Sequence, residues 1–102
     1  MFDFIKKMFG PGVDFKKLIA EGAIVIDVRT PAEYKSGHIS GSINIPVDSI
    51  KAKIDDLRKK NQTIITCCRS GARSGVAKDI LRNAGIDAHN GGPWNLLAAK
   101  IK

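Results

Sequence analysis

The chain has 102 residues, enough for one domain around a single hydrophobic core and too few for two. Its 43% apolar and 26% charged residues are those of an ordinary globular protein, and no apolar run nears the roughly 20 residues of a membrane span, so a soluble domain without membrane contact is expected. The net charge of +7 favours anionic partners, but Lys51, Lys53, Lys59 and Lys60 belong to a solvated helical stretch with no aromatic-rich strand beside it, which argues against nucleic acid.

Residues 2 to 9 place Phe2, Ile5, Met8 and Phe9 on one side of a short amphipathic turn, a pattern shared by docking helices and loose termini. Its apolar stretch is too short for a secretory signal and has lysines inside rather than ahead of it, so a cytoplasmic protein is expected. Gly10-Pro11-Gly12 closes this N-terminal extension, residues 1–12, and the globular domain follows over 13–102. Asp14 is placed to cap a helix over 15–20 that stops at Gly22. Ala23 to Val28 is an apolar run interrupted only by Asp27, the pattern of a parallel strand buried on both faces. Thr30 as N-cap and Pro31 as first helical residue start a short helix that exits at Gly37. Ser42 to Pro46 alternates as a short strand, and Asp48 or Ser49 caps an amphipathic helix through Ile50, Ile54 and Leu57. Thr63 to Cys67 is the next strand, Ser74 to Asn83 a helix with Gly85 at its C-cap, Ile86 to His89 another strand, and Trp94 to Ile101 a closing helix. This alternation predicts an α/β domain with an open, mostly parallel sheet of about five short strands and helices on both faces. In such sheets ligands bind beyond the carboxyl ends of strands, where both Asp27–Arg29 and the cysteine pair fall.

Adjacent cysteines are poor disulfide partners, because neighbouring Cα atoms lie about 3.8 Å apart and strand side chains alternate between faces. His38 and His89 lack ligand spacing to join them, so no metal or other cofactor is expected. After Cys67 and Cys68 comes Arg69-Ser70-Gly71-Ala72-Arg73-Ser74, a basic loop leading into a helix. Its backbone N–H groups, the positive helix end and two arginines would stabilise a thiolate and attract an anion. Gly71 supplies the positive φ or close approach that a tight concave loop needs. An inert buried thiol has no use for such a loop, so Cys68 is taken as the nucleophile and Cys67 as a strand residue packed behind it.

Three blocks in this order resemble the rhodanese-like sulfurtransferases. Ile26-Asp27-Val28-Arg29-Thr30-Pro31-Ala32-Glu33-Tyr34 is similar to the family's D-V-R-x-x-x-E-[YF] block. Gly37-His38-Ile39-Ser40-Gly41-Ser42-Ile43-Asn44-Ile45-Pro46 is similar to G-H-I-x-G-A-x-N-I-P, and Cys68 to Ser74 fits C-x-x-G-x-R-S. The resemblance covers residues 14 to 100 and implies that Cys68 takes the outer sulfur of thiosulfate or another sulfane donor, becomes a persulfide, and hands the sulfur to a thiol, cyanide or a protein acceptor. It implies substrate contacts for Arg69, Ser70, Gly71, Ala72, Arg73 and Ser74: loop amides hold the terminal sulfur, and Arg69 meets the thiosulfate anion. Arg73 has the alternative of turning inward to Asp27 or Glu33. Asp27, Arg29, Glu33 and His38 rank as supporting residues, since caps and strand-end ion pairs account for them without catalysis. Two departures stand out: Gly91-Gly92-Pro93-Trp94 is shorter than the family's G-G-x-x-x-W, and Cys67 replaces a usual aromatic or His.

Two other functions fit parts of the pattern. Counting from Cys67 gives the C-x5-R spacing of phosphatases and arsenate reductases, with Arg73 as the oxyanion ligand, whereas Cys68 is separated from Arg73 by only four residues, a tighter loop that suits one sulfur. A non-catalytic module that binds a protein partner is the second, against which the intact cysteine loop stands. A monomer is expected.

Overall fold

The computed structural model describes residues 12–102, and the amphipathic turn expected over residues 2–9 lies outside them. Helix α1 (Phe15–Ala20) starts where expected, with the Asp14 carboxylate accepting the Lys17 N–H at 3.1 Å. Strand β1 (Ile24–Asp27) leads to helix α2 (Pro31–Lys35), whose start is a reciprocal cap: Thr30 accepts the Glu33 N–H and Glu33 accepts the Thr30 N–H. After strand β2 (Ile43–Asn44), a 3-10 turn (Val47–Ser49) feeds helix α3 (Ile50–Lys60), and neither Asp48 nor Ser49 caps it with a side chain as expected. Strand β3 (Ile64–Cys68), helix α4 (Ala72–Asn83), strand β4 (Ala88–Pro93) and helix α5 (Trp94–Lys100) complete the chain.

The sheet has the order β2-β1-β3-β4, every pair parallel. The sheet has four strands among the described residues, close to the expected five, one for each of the four strand segments read from the sequence. β3 runs one residue further than expected, to Cys68, and α4 begins at Ala72 rather than Ser74, which leaves only Arg69 to Gly71 as the connecting loop. The last strand starts late because Ile86 belongs to the exit of α4: Gly85 takes φ +82° and the Ile86 N–H returns to the Leu81 carbonyl at 3.0 Å.

Alternation along β3 builds a core on each face of the sheet. Ile64 and Cys68 join Ile26, Val28, Ile50, Leu57, Ala77 and Leu81 beneath α3 and α4, while Ile65 and Cys67 join Phe15, Val25 and Leu97 beneath α1 and α5. Ile26, Ile50, Ile64, Ile65, Leu81 and Leu97 are fully buried, each contributing roughly 1.5–3 kcal/mol through the apolar surface removed from water. Both faces are thus packed right up to the cysteines, and the loop after β3 is held between a rigid strand end and a helix start.

Candidate active site

Cys68 is the last residue of β3 and its sulfur sits under the first turn of α4. The Gly71 N–H donates to Sγ at 3.0 Å and the Ser74 N–H at 3.4 Å, with the Ser74 hydroxyl at 3.3 Å. Gly71 closes this cradle in the left-handed region, at φ +97°, where a residue with a Cβ is strained. Burial alone would raise the thiol, but hydrogen bonds from the Ser74 hydroxyl and from the amides of Ser74, Gly71 and Ser70 outweigh it, so the Cys68 pKa is displaced downward. Each such bond to a charged group is worth roughly 1.5–3 kcal/mol, which explains how several together overcome burial.

Cys67 faces the opposite core. Burial, reinforced by the Asp27 carboxylate and only partly offset by Arg29, pushes its thiol up to about 12. The neighbouring cysteines therefore differ in kind: one is set up to ionise and the other to stay a small apolar side chain.

The remaining predicted residues fall into three groups. Arg69 and Ser70 are exposed on the loop, Arg69 without an ion-pair partner among the described residues, and the Ser70 hydroxyl accepts the Ala72 N–H at 3.4 Å. Arg73 grips Glu33 with both terminal guanidinium nitrogens, at 2.8 and 3.1 Å. That contact, with the Thr30 amide, holds the Glu33 carboxyl down at about 2, and raises Arg73. Asp27 and Arg29 form a buried pair, with the Arg29 backbone N–H at 3.0 Å and its Nη2 at 2.6 Å from the carboxylate. The same guanidinium donates to the carbonyls of Glu33 at 3.2 Å and Gly37 at 2.7 Å and lies 4.8 Å from the Trp94 ring centroid. These side chains link the end of β1, through α2, to the cysteine loop. His38 lies apart from this link, stacked on Tyr34 with centroids 3.7 Å apart and its Nδ1 2.7 Å from the Tyr34 carbonyl.

Asn90, which sequence reasoning missed, touches the cradle from β4. It bonds the Ser74 hydroxyl at 2.7 Å, the Gly71 carbonyl at 3.0 Å and the Gly92 N–H at 2.9 Å. The only signal for it is the pair of glycines that follows, which lets the strand end come close to the loop.

The arrangement is a buried Cys68 sulfur ringed by hydrogen-bond donors, with the exposed Arg69 on the loop beside it. The family model for the rhodanese-like domain matches residues 13–92. The chain is 38% identical over 80 residues to the thiosulfate sulfurtransferase PspE of Escherichia coli (strain K12), across 76% of this chain and 77% of that protein. It is 33% identical over 78 residues to a tRNA sulfurtransferase of Thermoplasma acidophilum, across 76% of this chain but only 15% of that much longer protein. Among solved structures it resembles a rhodanese with anions from E. coli at a TM-score of 0.66 and 37% identity, over 72% of this chain and 89% of that one. Fold, loop and relatives agree, and the chain belongs to the rhodanese-like sulfurtransferase family.

Proposed function

We propose that the protein moves a sulfane sulfur from thiosulfate, or a persulfide donor, to a thiol, cyanide or protein acceptor through a persulfide on Cys68. The observation that carries this reading is the set of groups around one sulfur: two backbone N–H groups donate to Cys68 Sγ and the Ser74 hydroxyl lies beside it, all within 3.4 Å, across a connection of only three residues between β3 and α4. The Cys68 thiolate attacks the outer sulfur of thiosulfate. The S–S bond breaks, sulfite leaves with its electron pair, and the new persulfide carries the negative charge. Amides of the loop and the start of α4 stabilise that charge on the terminal sulfur. Attack by the acceptor on this sulfur then restores the thiolate. Arg69 recruits the anion, Ser70, Gly71, Ala72 and Ser74 shape the cradle, and Arg73 fixes its position through Glu33. Asp27 and Arg29 brace α2 behind it, and His38 is structural. Residues 13–102 are the working unit, a monomer in a compartment that keeps thiols reduced, such as the cytoplasm, with residues 1–12 as an extension.

The phosphatase or arsenate reductase reading needs Cys67 to share an oxyanion with Arg73. It is disfavoured by a Cys67 that points into the other core and an Arg73 held by Glu33. A purely partner-binding module has no need of a lowered thiol. The deciding experiment loads the protein with thiosulfate and adds cyanide: thiocyanate is released by the wild type and by Cys67→Ser, and is lost in Cys68→Ser. Phosphate-ester turnover that depends on Cys67 would overturn the reading.

A further inference from the structure

The hydroxyl of Ser74 has one hydrogen and two neighbours able to take it. Cys68 Sγ lies 3.3 Å away and Asn90 Oδ1 2.7 Å away. The orientation of the Asn90 amide is fixed by partners that work in only one direction: its Nδ2 faces the Gly71 carbonyl, which can only accept, and its Oδ1 faces the Gly92 N–H, which can only donate. Oδ1 is therefore an acceptor toward Ser74. While Cys68 keeps its proton, the S–H donates to Ser74 and Ser74 donates to Asn90. Once Cys68 is ionised, Sγ needs the hydrogen that Asn90 holds.

The surroundings are shaped to admit this side chain. Gly75 stands inside α4, where glycine costs roughly 0.5–1 kcal/mol relative to alanine. A Cβ there would lie 3.2 Å from Asn90 Nδ2. A Cβ on Gly91 would come within 2.9 Å of the Thr66 carbonyl, so the residue after Asn90 must also be bare for β4 to reach the loop. Loss of Asn90 leaves the Gly71 carbonyl anchored, because the Gly75 N–H also donates to it at 3.1 Å.

We propose that Asn90 is a positioning residue for Cys68, acting through Ser74: it competes with the cysteine for the Ser74 hydroxyl hydrogen and so sets how readily the thiol ionises. Asn90 touches no reacting atom. The inference rests on the assignment of Cys68 as sulfur carrier for its functional meaning, but its physical content concerns the thiol alone. The other charged groups near Cys68 are already engaged: Arg73 on α4 with Glu33 on α2, and Asp27 on β1 with Arg29. Arg69 next to it is exposed, Cys67 faces away, and α3 and the 3-10 turn contribute the apolar Ile50 and Val47 to the core Cys68 joins.

The test is the pH dependence of Cys68 alkylation by iodoacetamide, located by peptide mass, in wild type, Asn90→Ala, Ser74→Ala and the double variant. With Ser74 present, Asn90→Ala lowers the midpoint by about one pH unit, the size of shift a hydrogen bond to the charged form produces. In the Ser74→Ala background the same substitution gives no downward shift. Gly75→Ala, which crowds Asn90 without deleting it, moves the midpoint in the same direction as Asn90→Ala. Equal shifts in both backgrounds, or an unchanged or raised midpoint with Ser74 present, overturn the proposal. The readout needs no sulfur transfer, so it stands apart from failure of the thiocyanate experiment.

Discussion

Cys67 and Cys68 are one peptide bond apart, yet their surroundings separate them by chemistry. Cys68 has donors aimed at its sulfur, whereas Cys67 has a packed core and a nearby carboxylate that Arg29 only partly offsets. At neutral pH, iodoacetamide should label Cys68 and leave Cys67 untouched in the folded protein, as peptide mass mapping would reveal. Labelling of Cys67 at a comparable rate would contradict the division. Gly71 is the residue the cradle can least exchange. A Cβ there meets Gly92 Cα at an ordinary 3.5 Å, so the penalty of Gly71→Ala is the positive φ, roughly 1–2 kcal/mol, rather than a clash. The expected outcome is a protein that still folds, with a raised alkylation midpoint at Cys68 as the Gly71 N–H leaves the sulfur. The division between the cysteines was legible because side chains on a strand alternate and because only Cys68 is followed at the right distance by Gly71. Asn90 was not legible, since its partners Ser74 and Gly71 lie 16 and 19 residues away and no spacing rule connects them.

At the scale of elements, α2 and the start of α4 are coupled by Glu33 and Arg73. Glu33 serves two ends at once, closing the cap of its own helix with Thr30 and receiving the Arg73 guanidinium. Glu33→Gln should loosen the loop and lower kcat/KM by about tenfold, as expected when a positioned nucleophile loses part of its register. The pH dependence has a definite sign. Glu33 is lowered from 4.5 to about 2, so its contribution to stability is fully present above pH 4.5 and is lost as pH falls through about 2. Denaturant titrations of wild type and Glu33→Gln should therefore differ above pH 4.5 and converge near pH 2; a constant difference across that range would show that the carboxylate does not hold the loop. The Thr30 cap was readable from Thr30, Pro31 and Glu33 alone. The lead-in to α3 was not, because the 3-10 turn there forms without any side-chain cap. The shift of β4 was missed for a similar reason: Ile86 looks like a strand residue, but its N–H closes the end of α4.

Over the whole molecule, the parallel order β2-β1-β3-β4 brings the ends of β1 and β3 side by side, with Asp27 directly opposite Cys67. The buried Asp27–Arg29 pair stands at that junction, and Arg29→Ala would leave a carboxylate buried without its partner, a loss of about 3–5 kcal/mol measurable by denaturant unfolding. Alternating helices and strands made the layered fold legible, as did the apolar run of β1. The four strands were each legible, but their ends were less so, since β2 is only two residues long and β4 runs on through two glycines to Pro93. The charge of +7 bears on encounter rather than chemistry: kcat/KM for thiosulfate should fall as salt rises while kcat holds. The central claim is that a single sulfur atom rides on Cys68. Mass spectrometry of protein treated with thiosulfate and digested without reductant tests it directly, provided the cleavage separates Cys67 from Cys68 or fragmentation locates the added sulfur. The expected result is one extra sulfur on Cys68, removed by cyanide. Extra sulfur on Cys67, or none on either cysteine, would contradict it.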